Sequence, residues 1–378
     1  MPLNMGSPST MVQTISVAEL SAAQKNLGVV QEPVILRQGT QSSPPMRLRV
    51  IGSLADQEEL RAVNERIVKV DPIVCRFVRD VTVSGSGYMF HGSSLVTDGS
   101  HLSDVAVEWV GRPMPDSPVA AAPATERWLD GVAVIGIAPG HLIYGHWLID
   151  LIPRFMIAKD VLGPEFRNAM LVLPDDTPAW ALAMLEAFTG ATLAQYAFYK
   201  RGIERLAVRE ACIPSYAHTA YSFHSYANEV FSTLGAAPVA VRGTRKLCIS
   251  RVAFEGATHG VQKLFHTRER FEALAGDFGY EIVQPEMMGI QEQAMLFSSA
   301  SHVVGEYGSA LHSTVFGPAG LKIGYIRCPN QIQLSISALR RQPTVVVIPA
   351  NDWVAPSGVL EYSLTDAEMM ALFEANET

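Results

Sequence analysis

His146 and Asp150 stand four residues apart in a run whose apolar positions recur at helical spacing. That spacing puts an imidazole and a carboxylate on one helix face. Such a pair can take a proton from a hydroxyl, either group acting as base while the other orients it. A plain surface pair, or a histidine satisfied inside the core, has the same spacing. Arg154 continues the face by four more residues, past Pro153, where it can hold a phosphate or pair with Asp150.

A second group of residues suits phosphate. Gly305-Glu306-Tyr307-Gly308-Ser309-Ala310-Leu311-His312 follows the apolar run His302-Val303-Val304 and precedes a segment able to start a helix. A glycine-containing turn between strand and helix offers backbone N–H groups beside the positive end of the helix dipole. Open α/β sheets bind ligands at the carboxyl ends of their strands. A nucleotide or nucleotide-sugar fits such a place, although a turn needed only for tight packing would look the same. Glu306 suits a ribose or sugar hydroxyl better than a phosphate. Arg245, Lys246 and Arg251 bracket the strand at 247–250, and Arg251, at its carboxyl end, is best placed of the three to grip a diphosphate in bidentate fashion. A solvated charge cluster is the plainer alternative.

Several chemistries lack their motifs. There is no G-x-x-x-x-G-K-[ST], no H-E-x-x-H and no G-x-S-x-G. The glycines between Gly131 and Gly140 miss the G-x-G-x-x-G spacing, which counts against an NAD-dependent oxidoreductase. No D-x-D triplet occurs, and the ten histidines do not cluster at metal-ligand spacing. No cofactor and no metal are expected.

These residues need elements to hold them. Residues 33–108 show short apolar runs between turn signals, such as Val34-Ile35-Leu36, Leu48-Arg49-Val50-Ile51 and Val78–Val83, and predict a β-meander. Residues 112–125 are rich in Pro and Ala and predict a loop. Then follow a buried strand at 131–137, a helix at 140–155 kinked or divided at Pro153, a strand at 169–173, a helix at 178–188 and a strand at 206–213. Gly235 to Gly243 predicts a linker and a hinge. After it come strand 247–250, helix 261–275, strand 281–283, helix 290–299, strand 302–304 and strand 322–326. Thr365 and Glu368 have capping-box spacing for a terminal helix. Alternating elements of this length imply an α/β fold with a parallel sheet covered on both faces. The expected division is a partly mobile segment at 1–32, a domain of β-meander plus α/β elements at 33–235, a nucleotide-sugar-binding domain at 244–350 and a C-terminal helix at 351–378.

The chain has 378 residues, 48% hydrophobic and 17% charged, with a formal charge of −8. Two packed domains are expected from that length. Without clustered Lys and Arg, nucleic acid is excluded as a partner. Cys75, Cys212, Cys248 and Cys328 are far apart and lack C-x-x-C spacing, so they read as structural thiols, with Cys248 and Cys328 in buried strands. The first 26 residues lack the basic start and apolar core of a signal peptide, and no apolar run reaches the roughly 20 residues of a membrane span. A cytoplasmic protein with reduced thiols is the expectation.

Four segments, in order, resemble bacterial members of glycosyltransferase family 61. Gly145-His146-Trp147-Leu148-Ile149-Asp150-Leu151-Ile152-Pro153-Arg154 is similar to that family's G-H-W-L-x-[ED]-x-x-P-R segment. Ile249-Ser250-Arg251 resembles its strand end, and Pro285 to Gln293 its "pE.ls..eQ" stretch. Ala300 to Ser313 resembles "A..vvG.hGaaL.N", with Tyr307 where His is usual and Ser313 where Asn is usual. The stretch from Gly260 to Thr267 departs from the family's "R.i.NE".

The resemblance implies an inverting glycosyltransferase of GT-B architecture, two facing Rossmann-like domains; a β-rich N-terminal segment and metal independence, with positive charge on the leaving group replacing a metal, are expected from the residues themselves. It implies a nucleotide-sugar donor, a UDP-sugar foremost, a glycan or other hydroxyl acceptor, and a place in capsule or exopolysaccharide biosynthesis. Peripheral membrane association and a homo-oligomer are compatible with it. Carried over, Asp150 is the base assisted by His146. Arg251, Gln293, Gly305, Glu306, Gly308 and Ser309 fall in the donor-binding half; Lys263 and Tyr307, where the chain departs from the family, are also expected to bind the donor, and Arg154, from its helix face, to bind acceptor or phosphate. The departures at Tyr307 and Ser313 leave open a non-catalytic sugar- or nucleotide-binding subunit of a polysaccharide assembly complex.

Overall fold

The computed structural model describes residues 13–97, 125–235, 243–252, 263–326, 331–356 and 358–378. The chain forms two compact units: Met1–Gln38 with Pro72–Ala220, and Gly39–Asp71 with Tyr221–Thr378. The predicted loop at 112–125 (apart from its last residue), the linker and hinge at 235–243 (apart from its two end residues) and Cys328 lie outside the described residues. No helix among the described residues is long and apolar enough to cross a membrane.

The first unit is built on a nine-stranded mixed sheet. Its parallel half runs Glu204–Pro214, Thr125–Val134, Met170–Pro174 and Tyr196–Tyr199, in that order across the sheet. Its antiparallel half continues from Glu204–Pro214 to Ile73–Ser84, Tyr88–His91 and Ser94–Thr97. So the predicted meander forms only in part. Val34–Arg37 does pair with Ile73–Ser84. Residues 14–26, within the segment expected to be partly mobile, form a short strand and a helix, Val17–Asn26, whose Ser16 and Glu19 make a complete capping box.

Helix Ile152–Leu162 is buried against the sheet through Ile152, Phe155, Met156 and Ile157. The expected kink is a π-helical turn, Trp147–Leu151, in which the Ile152 N–H donates to the Trp147 carbonyl five residues back. Pro153 has no N–H with which to restore the α ladder, so the wider turn persists there.

The second unit carries a six-stranded, all-parallel sheet in the order Glu281–Val283, Arg245–Ile249, Ala300–Glu306, Lys322–Ile326, Thr344–Val347, Leu48–Ile51. The chain leaves Arg245–Ile249 toward one edge and returns to its other side, so the strand order reverses between Arg245–Ile249 and Ala300–Glu306. Leu48–Ile51 corrects the expected domain boundary. It adds to the open edge beside Thr344–Val347, which takes residues 39–71 into this unit. Its run of Leu, Val and Ile reads equally well as part of a meander, because period and composition do not name the partner strand.

Lys263–Phe265 is a strand where a helix at 261–275 is predicted. It pairs with Leu360–Ser363, and the helix begins only at Arg268. Pairing with a strand 97 residues away is invisible to local pattern. Helix Asp366–Glu377 starts on its Thr365–Glu368 capping box as predicted, and packs Leu372 and Phe373 into the core with Phe271 and Cys248. The Cys75, Cys212 and Cys248 thiols are free and buried, in line with structural thiols.

Candidate active site

In the first unit, three loops leave the carboxyl ends of neighbouring parallel strands, and side-chain bonds link them. The loop after Val134 leads to His146 and the π turn holding Asp150. The loop after Pro214 carries His218. The loop after Pro174 carries Asp176, which accepts from His141 at 3.1 Å and from Arg201 at 2.6 Å.

Asp150 is completely buried. Its Oδ2 lies 2.6 Å from His146 Nδ1 and its Oδ1 lies 2.6 Å from His218 Nε2. Burial pushes the carboxyl up, but the bonds from the two imidazoles outweigh it and bring it from the ordinary 3.8 to about 2. At neutral pH the group is a carboxylate, which only accepts, so both rings must donate to it. His146 therefore carries a proton on Nδ1, and in its neutral form keeps a lone pair on Nε2. The His146 side chain is 23% exposed, against 4% for His218, so His146 is the ring a substrate can reach.

The loop is shaped around that ring. Gly140 has a left-handed φ of 100°, and a Cβ there would stand 2.7 Å from the imidazole carbons of His146. His218 is followed by Ala220 and Tyr221, both left-handed at φ 46° and 62°, a strained reversal that holds the histidine where it is.

Arg154 is not placed to hold a phosphate. It is 1% exposed, and its guanidinium donates to the carbonyls of Pro214, Ile135 and Ile137 and to the Tyr216 hydroxyl. It braces the two strand ends from which His146 and His218 are carried.

In the second unit, the polar groups gather where the strand order reverses. Glu306 is 4% exposed; Oε1 accepts from Arg268 Nε at 2.9 Å and Oε2 from the Tyr362 hydroxyl at 2.5 Å. Arg251 Nη1 stands 4.0 Å from Oε2. Lys263 Nζ donates to the Tyr307 carbonyl at 3.3 Å and sits over its ring, 4.8 Å from the centroid. Arg251, Arg268 and Lys263 are thus gathered around Glu306 and Tyr307 beside Gly308, whose Cα faces the Arg251 guanidinium.

The expected donor residues therefore separate by role. Both oxygens of Glu306 accept from protein donors, so it anchors the Arg268 guanidinium and the Tyr362 hydroxyl. Gly305 lies within its strand, and a Cβ there would meet that of Ile249 at 3.0 Å, the plain packing reason for a glycine. Gln293 is buried; it donates to the Met288 carbonyl and accepts from Ser313, tying the 3-10 helix Ser309–Phe316 to helix Ile290–Ser298. Tyr307 is buried against His312 and Tyr325. Gly308 and Ser309 remain half-exposed at the start of the 3-10 helix, whose first N–H groups have no intrahelical acceptor. Arg245 and Lys246 are ion-paired with Glu281 and Glu377, the solvated alternative.

The glycosyltransferase 61 family model matches residues 144–324. Residues 144–324 thus carry a glycosyltransferase family 61 domain. The protein is a glycosyltransferase, with a donor sugar and an acceptor. No curated protein matches its sequence. The family 61 match opens two residues before His146 and takes in Asp150, His218, Arg251, Arg268 and the Gly308 turn.

Sequence reasoning missed three residues: His218 beside Asp150 in the first unit, and Arg268 and Tyr362 beside Glu306 in the second. His218 and Tyr362 stand in no motif, and Arg268 was hidden mid-helix by the misplaced boundary. The one local signal for His218 was a histidine just beyond the carboxyl end of a buried strand.

Proposed function

We propose that this family 61 enzyme moves a sugar from a nucleotide-diphosphate donor, a UDP-sugar foremost, to an acceptor hydroxyl with inversion and without a metal. His146 Nε2 takes the hydroxyl proton as the acceptor oxygen bonds to the anomeric carbon. The bond from that carbon to the diphosphate oxygen breaks, and its electron pair leaves with the diphosphate. Asp150 fixes the His146 tautomer and stabilises the charge the ring acquires, as the buried aspartate of a hydrolase triad does. His218 holds the other oxygen of Asp150. Compared with the sequence reading, base and assistant change places, because both oxygens of Asp150 are occupied.

Arg251, Arg268, Lys263 and the amides at Gly308 and Ser309 receive the diphosphate charge. The doubly wound sheet supports this, since ligands of open α/β sheets bind where strand order reverses. A GT-B arrangement, donor in the second unit and acceptor in the first, is part of the proposal, as is a role in cell-surface polysaccharide assembly.

The Asp150 carboxylate clamped between two histidines, one of them reachable, carries the reading. The test is transfer or donor hydrolysis by purified protein across UDP-, GDP-, CMP- and dTDP-sugars, with the product anomer read by NMR. Inverted product, formed in EDTA, is expected. Retained configuration, or activity lost in EDTA and restored by Mn²⁺, would overturn it.

A further inference from the structure

The loop that presents His146 also presents apolar surface. Leu142 and Ile143 are about half-exposed, and Tyr144 opens the helical turn that contains His146. Trp180, the second residue of helix Ala179–Thr189, is 39% exposed and meets Tyr144 at 5.8 Å between ring centroids, tilted by 53°. The two loops are joined a second time by His141 and Asp176. Exposed aromatic surface is costly in water unless something covers it. Here it adjoins the one ring of the buried cluster that a substrate can reach.

The covering group has to suit both faces of this site. A pyranose ring has an apolar C–H face for the aromatic pair and equatorial hydroxyls for polar neighbours. Asp176, four residues before Trp180, supplies such a neighbour together with Arg201. Burial pushes the Asp176 carboxyl up, and the bonds from Arg201 and His141 outweigh this and hold it below the usual range. A bilayer suits the patch less well. Residues 135–149 contain no Lys or Arg, and surface binding to anionic lipid depends on such charges.

We propose that Tyr144 and Trp180 form the acceptor subsite, taking the C–H face of a pyranose and bringing one of its hydroxyls to His146 Nε2. The acceptor is then a glycan terminus recognised by stacking, and Trp180 is a specificity-determining residue. This rests on the transferase reading of His146.

The probes are the methyl α- and β-pyranosides of glucose, galactose and mannose, observed by saturation-transfer NMR, with UDP affinity measured by calorimetry. Wild type should show transfer to the C–H protons of at least one pyranoside. Trp180→Ala should weaken that binding about 10-fold, the size of a ring contact, while UDP affinity stays at the wild-type value. Trp180→Phe and Tyr144→Leu, which keep more of the packing, should lie between. No pyranoside binding by wild type, or binding unchanged in all three variants, overturns the proposal. So does a Trp180-dependent loss of binding to phosphatidylcholine–phosphatidylglycerol vesicles with pyranoside binding intact, which would make the patch a membrane face. His146→Gln separates the two readings. Full transfer activity in that variant removes His146 as base, whereas the pyranoside result stands or falls by itself.

Discussion

Asp150 and His218 are 68 residues apart in the chain and 2.6 Å apart in the fold. That contact completes a row of three polar side chains in which only the outer one, His146, meets solvent. Replacing His218 by Phe leaves one oxygen of a buried carboxylate without its donor. The expected cost is about 1–3 kcal/mol in unfolding free energy, with a fall in kcat smaller than that of a His146 variant. Chemical denaturation and steady-state kinetics on one preparation read both. A His218→Phe enzyme as stable and as fast as wild type would mean that the contact positions nothing.

His146→Gln keeps polarity and approximate size but cannot take the proton. Turnover should fall roughly 10²- to 10⁴-fold, while calorimetric affinity for UDP is preserved because that site is built from other residues. Equal loss of UDP affinity would point to misfolding or to a donor-binding role.

Asp150 links the site to acid stability. Its carboxyl titrates lower in the folded chain than in the unfolded one, about 2 against 3.8. The stabilisation is thus fully present above pH about 4 and disappears as pH falls through 2. The difference amounts to about 2 kcal/mol. Asp150→Asn should lose this stability at neutral pH and flatten that part of the acid limb, and should lower turnover at least about 10²-fold. Urea unfolding at pH 7, 4 and 2.5 checks the sign. A variant whose stability deficit grows toward low pH contradicts it.

Two glycines three residues apart should behave differently. A methyl at Gly305 presses on Ile249 at 3.0 Å, so Gly305→Ala should destabilise by about 1–3 kcal/mol and leave the KM for donor near wild type. At Gly308 the added carbon meets the Arg251 guanidinium at an ordinary 3.5 Å. Gly308→Val should therefore fold but raise the donor KM. Thermal melts paired with donor titrations distinguish them, and the reverse pattern would reassign both.

Glu306→Gln removes the charge that Arg268 grips and Arg251 approaches, while keeping shape for the Tyr362 contact. Affinity for UDP should fall about 10-fold or more, since losing one partner of a buried charge pair costs about 2–5 kcal/mol. If the carboxylate instead repels the diphosphate, affinity will rise.

Local chemistry determined much of this protein. The capping box at Thr365 and Glu368, the strands at 281–283 and 322–326, and the four-residue spacing of His146 and Asp150 all follow from interactions within one or two turns or one strand. Such features are fixed by side-chain period and by backbone groups seeking near partners. Tertiary structure decided the rest. It sent Leu48–Ile51 to the sheet of the other unit and made Lys263–Phe265 a strand, because an edge of unpaired N–H and C=O groups accepts any apolar strand that reaches it. It also brought His218 to Asp150 and turned Arg154 inward to the strand-end carbonyls. The choice of base rested on which histidine the fold leaves exposed, and burial belongs to the packed molecule, not to the residue.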